Sequence, residues 1–146
     1  MKFTYCAPDR EATEIRVQEY AARFAEDGFA PWTAVLIAEG LIVGWGGLNK
    51  DPGEPEWGPE VAYYFDPAYW SRGLATELAR ESLTLAFDDL DLQEVGAFAR
   101  AENIGSVRVL SKAGFERVRF VPELERDEYR ISKDSWQTPE NEPRAR

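Results

Sequence analysis

The residues of this chain best suited to chemistry lie between Val61 and Phe115. They begin VAYYFDPAYWSRGLATE, pass through a helical stretch, and close with AENIGSVRVLSKAGF. The first segment has the form of a strand that runs into a bulge, a short glycine turn and a helix start. Such a start offers several backbone N–H groups and the positive end of a helix dipole to an anion. The chain has no histidine and a single cysteine, and no cluster of cysteines or carboxylates with metal-ligand character competes with this segment. Its chemistry is therefore expected to centre on a ligand that carries phosphate, with no metal.

The elements that must hold these residues follow from period and punctuation. Residues 9–27 read as a helix: Asp9 can cap it, Ile15, Val17, Tyr20, Ala21 and Phe24 supply apolar positions, and Gly28 and Pro31 end it. Thr33–Ala38 and Leu41–Leu48 are apolar runs joined by Glu39-Gly40, the pattern of a hairpin. A polar loop, Asn49–Pro59, leads to a third strand at Glu60–Phe65, which Asp66-Pro67 halts. From Gly73 to Leu90 apolar residues recur at helical spacing in a broad stripe, as for a helix packed on a sheet. Glu94–Arg100 is a short strand, Asn103 can cap the next helix, and Gly114 sits where a left-handed C-cap belongs. Phe115–Val121 and Glu128–Ser132 close the pattern as strands. The order describes a mixed α/β sheet, with the strand after the Gly73 helix parallel to the strand before it. Residues 1–136 are expected to form one domain, and the polar residues 137–146, with two prolines, a disordered tail.

Composition narrows the partners. With 44% hydrophobic residues the chain can build a core. It contains no apolar run of about 18 residues, so no transmembrane helix is expected. Its start lacks the apolar stretch of a secretory signal. Cys6 stands alone and cannot form an internal disulfide, which fits a reducing cytoplasm. A net charge of −10 argues against general binding to nucleic acid or anionic membrane. Yet Arg100, Arg108, Lys112, Arg117 and Arg119 face only Glu102 and Glu116 in their stretch. Together with Arg72 they make a basic region around the glycine turn, suited to a small anion. The acidic remainder could favour a cationic acceptor such as an amine.

Two motifs with this order and separation resemble the acetyl-coenzyme A-binding core of the GNAT acetyltransferases, most closely the RimJ/RimL type. The first is Ala62-Tyr63-Tyr64 through Asp66-Pro67-Ala68-Tyr69-Trp70-Ser71-Arg72-Gly73-Leu74-Ala75-Thr76-Glu77. The second comprises Asn103, Ser106, Val109, Leu110, Gly114 and Phe115. The resemblance covers roughly residues 33–132. It implies the acyl-CoA N-acyltransferase fold: a mixed, mostly antiparallel sheet with a splayed central parallel pair, flanked by helices. It also implies acetyl-CoA as co-substrate and direct transfer of acetyl to a primary amine, either a protein N-terminus or a small molecule.

Carried over residue by residue, the resemblance gives roles. Gly73 would let the backbone approach a pyrophosphate, with the amides of Arg72, Gly73, Leu74, Ala75 and Thr76 pointing at the phosphates and Arg72 adding charge. Pantetheine would lie in the splay like an added strand, bonded to backbone near Tyr64, Phe65 and Asp66. Asn103 would bond pantetheine, cap its helix, or both. Arg108 and Lys112, one turn apart, could reach the cofactor's phosphates or face solvent.

The catalytic half is less complete. Many members place a tyrosine acid where this chain has Leu110, and another branch places a glutamate base where it has Phe98. In the RimL-like branch a serine at the position of Ser106 is the proposed acid, so Ser106 is the candidate acid here. Glu60, opening the third strand, is the candidate base, acting through water. Tyr63 and Tyr64 alternate faces, so at most one of them is expected to line the acceptor groove. Family members also have a strand and a helix ahead of the helix placed here at 9–27. In this chain Phe3–Cys6 could supply only a stunted edge strand, and homodimerisation would cover the edge left bare. The alternatives are a non-catalytic acyl-CoA-binding or regulatory module of the same fold, and a structural α/β domain whose turn binds nothing.

Overall fold

The computed structural model describes residues 9–51 and 54–136. The strand expected at Phe3–Cys6, Cys6 itself and the tail at 137–146 lie outside the described residues. In chain order the elements are α1 (Arg10–Asp27), β1 (Trp32–Leu36), β2 (Leu41–Asn49), β3 (Glu60–Phe65), α2 (Leu74–Thr84), β4 (Glu94–Ala99), α3 (Ile104–Ala113), β5 (Glu116–Val121) and β6 (Arg126–Ser132). The strands form a six-stranded sheet in the order β1-β2-β3-β4-β6-β5. Every pair is antiparallel except β3 with β4, the two joined through α2.

The core sits on one face. Val61, Val95, Ala97, Ala99, Tyr129 and Ile131 of the strands pack with Ala79, Leu83 and Phe87 around α2 and with Leu110 and Ala113 of α3. Because side chains alternate along a strand, Glu60, Ala62 and Tyr64, then Phe98 and Arg100, then Arg126, Glu128 and Arg130 project from the opposite face. The stripe expected through Leu90 is continuous, but its last turn, Leu85–Asp89, widens to π geometry and buries Ala86 and Phe87. The loop after β2 carries a single 3₁₀ turn at Pro55–Trp57.

α1 forms where its caps place it. Asp9 accepts from the N–H of Ala12 at 2.8 Å, and Gly28 closes the helix at φ 80°. The face it turns inward was not legible. Of the five apolar residues expected to pack, only Tyr20 does, against Trp45 with ring centroids 5.8 Å apart. Ile15, Val17 and Phe24 are each more than half exposed, and no residue of the helix is buried. The half-buried stripe is Ala12, Arg16, Tyr20, Arg23 and Asp27, at intervals of four and three. Ile15 and Val17, two positions apart, point to different sides of a helix and cannot share that stripe. The expected apolar docking is replaced by one aromatic contact and the Asp27–Lys50 ion pair at 3.5 Å.

The two faces predict opposite responses. Leu83→Ala, at a side chain with 0% exposure, should cost about 2–5 kcal/mol in urea denaturation. Phe24→Ala, at a side chain 60% exposed, should stay within about 0.5 kcal/mol of the parent.

Candidate active site

The site begins where β3 and β4 part. Their register contains one pair, Glu60 with Gly96, and the N–H of Gly96 donates to the carbonyl of Pro59 at 3.0 Å. Beyond it each strand belongs to another partner. β3 stays paired with β2 along its length, and β4 with β6 from Glu94 to Ala99. The gap is a cleft of about 110 Å³ bordered by β3, β4, β6 and α3.

The edge that β3 shows to the cleft follows from its ladder. The N–H of Asp66 donates to the carbonyl of Val43 on β2 at 2.9 Å. In an antiparallel ladder both polar groups of alternate residues face the same neighbour. Ala62, Tyr64 and Asp66 therefore turn their backbone toward β2, and Val61, Tyr63 and Phe65 turn theirs toward the cleft. The Phe65 carbonyl is engaged by the indole N–H of Trp70 at 2.8 Å, and the Asp66 carboxylate caps the turn by accepting from the N–H of Ala68 at 2.9 Å. Among the expected pantetheine partners, the backbone of Phe65 alone faces the cleft, and Val61 and Tyr63 join it.

The glycine turn has the geometry an anion site needs. Gly73 adopts φ 78°, a left-handed conformation that costs a side-chain-bearing residue about 1–2 kcal/mol. α2 starts directly after it. The first bond of the helix runs from the N–H of Glu77 to the Gly73 carbonyl at 3.0 Å. The N–H groups of Leu74, Ala75 and Thr76 thus have no acceptor within the helix. Side chains cap α1 and α3, but none caps α2. Arg72 lies beside this end with its guanidinium carbon 5.1 Å from the centre of the Tyr69 ring.

On α3, Asn103 is the cap: its side-chain oxygen accepts from the N–H of Ser106 at 3.2 Å. Asn103 and Ser106 both border the cleft. The Ser106 hydroxyl stands 2.9 Å from the phenol of Tyr63 across the cleft, a contact between residues far apart in the chain. Burial pushes the Tyr63 phenol up to about 12, so it stays protonated at every working pH. Leu110 is fully buried and fills the core. Arg108 and Lys112 are exposed on α3, the latter's carbonyl accepting from Arg80 at 3.5 Å.

Glu60 occupies the other end of the cleft, on the face away from α2 and α3. Burial pushes its carboxyl up to about 7, and the negative charges of Asp51 and Glu54 add to the rise; Arg126 and Arg130 oppose it. Tyr64 stacks on Trp45 with centroids 4.5 Å apart. Phe98, where a family branch has its glutamate, meets Trp57 edge-on at 5.3 Å. Both tyrosines border the cleft, contrary to the expectation of one at most, because the cleft cuts through the sheet and is open to both faces. Sequence reasoning also missed Asp51 and Arg126 in this lining, and placed Arg100 only in the basic region around the glycine turn. Their clustering arises from strand pairing and leaves no local signal.

A parallel strand pair opened into a V, with an uncapped helix start after the first strand, is the architecture of acyl-CoA N-acyltransferases. A family model described as an acetyltransferase (GNAT) domain matches residues 1–116. The chain is 28% identical over 113 residues to YnaD, an uncharacterised N-acetyltransferase of Bacillus subtilis (strain 168), covering 77% of this chain and 65% of the relative. It is 30% identical over 149 aligned positions to the FsC-acetyl coenzyme A-N(2)-transacetylase of Aspergillus fumigatus, covering 88% of this chain and 62% of that protein. A solved acetyltransferase of the GNAT family from Bacillus anthracis superposes with a TM-score of 0.60 at 30% identity, covering 73% of this chain and 68% of that one. The chain spans about three fifths of the length of the curated relatives it matches. It belongs to the GNAT family.

The raised carboxyl of Glu60 has a consequence for stability. An acid raised in the folded state holds its proton more tightly there than in the unfolded chain. Its contribution is complete below its ordinary 4.5 and is lost as pH rises through about 7. Glu60→Gln should therefore match the parent in thermal unfolding at pH 4.5 and exceed it at pH 8 by roughly 1–3 kcal/mol.

Proposed function

We propose that this chain is an acetyl-CoA-dependent N-acetyltransferase of RimJ/RimL-like type that transfers acetyl directly to a primary amine, on a protein N-terminus or a small molecule. The observation that carries the proposal is the cleft itself. It has unpaired strand edge along one wall, a carboxyl poised near neutrality at one end, and a hydroxyl pair at the other. Bound acetyl-CoA supplies the acetyl group as an activated thioester. The amides of Leu74, Ala75 and Thr76 hold its phosphates at the start of α2, with Arg72, Arg108 and Lys112 as the nearby cations. The polar backbone of Val61 and Tyr63, with the N–H of Phe65, receives its extended arm as an added strand, beside Asn103.

The residues of the chain divide the proton work. An acceptor amine arrives as an ammonium ion and must lose a proton before it can attack. Glu60 takes that proton, directly or through water, since the cleft has room for several molecules. A carboxyl raised to about 7 is a much better base than an ordinary one. As the carbon–sulfur bond breaks, Ser106 gives its hydroxyl proton to the departing thiolate, and it regains one from the nitrogen, which sheds its second proton as the amide forms. With Tyr63 as the donor of the hydroxyl pair, the serine proton points toward the cleft.

Phe98 and Leu110 stand where other branches carry their catalytic side chains, which favours a second reading, an acyl-CoA-binding module without turnover. Calorimetry with acetyl-CoA, followed by thiol release with a panel of amines, decides between them. Binding without release across peptides, polyamines and aminoglycosides would select the module. Gly73→Glu should abolish acetyl-CoA binding through bulk and charge; an unchanged affinity would remove the phosphate site from α2.

The kinetic signature is specific. The rate should rise with pH through a midpoint near 7 as Glu60 ionises, under the combined influence of Asp51, Glu54, Arg126 and Arg130. Glu60→Gln should remove that inflection and lower kcat by about 10²–10⁴-fold. Ser106→Ala should lower kcat while leaving acetyl-CoA affinity intact, and an unchanged rate would exclude Ser106 as the acid.

A further inference from the structure

The face of the sheet that carries Glu60 also carries a row of charges on β4, β5 and β6, and the arginines among them are matched with one exception. Arg130 donates to Glu128 at 2.8 Å and to Glu94 at 3.0 Å, and Arg119 donates to Glu128 at 2.9 Å. The exception lies where the row reaches the cleft. Ala99 pairs with Asp127, so Arg100 and Arg126 follow as cross-strand neighbours on this face. Like charges placed opposite one another on a sheet repel. Among the described residues Arg100 pairs only with Glu125, at 3.8 Å, beyond hydrogen-bonding distance and on a side chain 76% exposed, and its buried Nε has no acceptor there. Among the described residues no carboxylate lies within 4 Å of Arg126. Both arginines border the cleft, on the side of β4 and β6, and Glu60 and Asp51 border it on the side of β2 and β3.

The cleft is thus dipolar, with carboxylates on one wall and two guanidinium groups on the other. A simple amine would satisfy only the first wall. Given acetyl transfer to an amine as proposed above, we infer that the acceptor bears a carboxylate as well as its amine, as an amino acid does: the amine lies at Glu60, and Arg100 and Arg126 hold the carboxylate. Guanidinium suits this role because its planar fork matches a carboxylate with two parallel hydrogen bonds. The repulsion between the two arginines is relieved by the charge of such a group. The carboxylate also fixes the acceptor's orientation, so that its amine meets the base.

Matched acceptor pairs test this, using the full chain with acetyl-CoA and thiol release as the readout. Glycine, β-alanine and phenylalanine are compared with methylamine, ethylamine and phenethylamine. The carboxylated member should have a kcat/KM at least tenfold higher in at least one pair. Arg126→Gln and Arg100→Gln should each lower that ratio tenfold or more, mainly through KM, and Arg126→Lys should lower it less. The affinity for acetyl-CoA should not change. As a readout independent of turnover, the N-acetylated amino acid should raise the melting temperature of the protein with coenzyme A bound, and Arg126→Gln should remove that rise. Equal rates for carboxylated and bare amines would overturn the inference and leave acetyl transfer standing. Loss of acetyl-CoA affinity in the arginine variants would also overturn it, by assigning these groups to the coenzyme. No turnover in either series, with acetyl-CoA still bound, would overturn the inference; the proposed reaction falls with it only when peptides, polyamines and aminoglycosides also release no thiol.

Discussion

Everything at this site depends on β3 and β4 parting after a single register pair. Glu60 and Gly96 hold the two strands together, and the next residues of each are claimed by a different ladder. The separation is therefore set by two well-paired half-sheets and not by a loop, which makes both walls stiff. It also leaves backbone donors and acceptors of β3 unpaired inside the protein, where buried polar groups normally find partners. A ligand with its own amide groups can supply them. The same parting leaves room at the C-terminal end of β3 for the Gly73 turn, so the uncapped helix start and the strand edge are consequences of one break in the sheet.

The break also sorts the chemistry. Because a strand sends successive side chains to opposite faces, β3 delivers Tyr63 toward α3 and Glu60 and Tyr64 toward the other face. The hydroxyl pair of Tyr63 and Ser106 and the carboxyl of Glu60 thus approach the cleft from different sides. Burial acts on both ends, raising the phenol of Tyr63 and the carboxyl of Glu60. For the phenol this preserves a hydrogen-bond donor; for the carboxyl it delays ionisation until near neutral pH. One physical cause acts at both ends of the cleft.

α1 stands apart from this rigid arrangement. An 18-residue helix with no buried residue is held by contacts that include its caps, an aromatic contact and an ion pair. It touches the face that carries Trp45, Tyr64 and Glu60, while adding little to the core. Stability here comes from α2, α3 and the strands between them, where Leu83, Phe87, Val95 and Leu110 are closed off from water.

The sequence by itself determined whatever is local. Asp9, Asn103 and Gly114 cap helices through bonds to residues a few positions away, and Gly73 takes a backbone conformation that few other residues tolerate. The strands announced themselves as short runs bounded by turn residues and the helix at α2 by its stripe. That was enough to identify the family. Only the tertiary structure decided which groups meet. Tyr63 reaches Ser106 because β3 and α3 face each other across the cleft. Arg100 and Arg126 become neighbours because β4 pairs with β6 in one register, and Glu60 gains its raised carboxyl from burial beside Asp51. α1 turns a mostly polar stripe inward despite its apolar residues, since their spacing never formed one face. Contacts between elements depend on register and burial, which are properties of the assembled sheet and are not encoded at any single stretch of the chain.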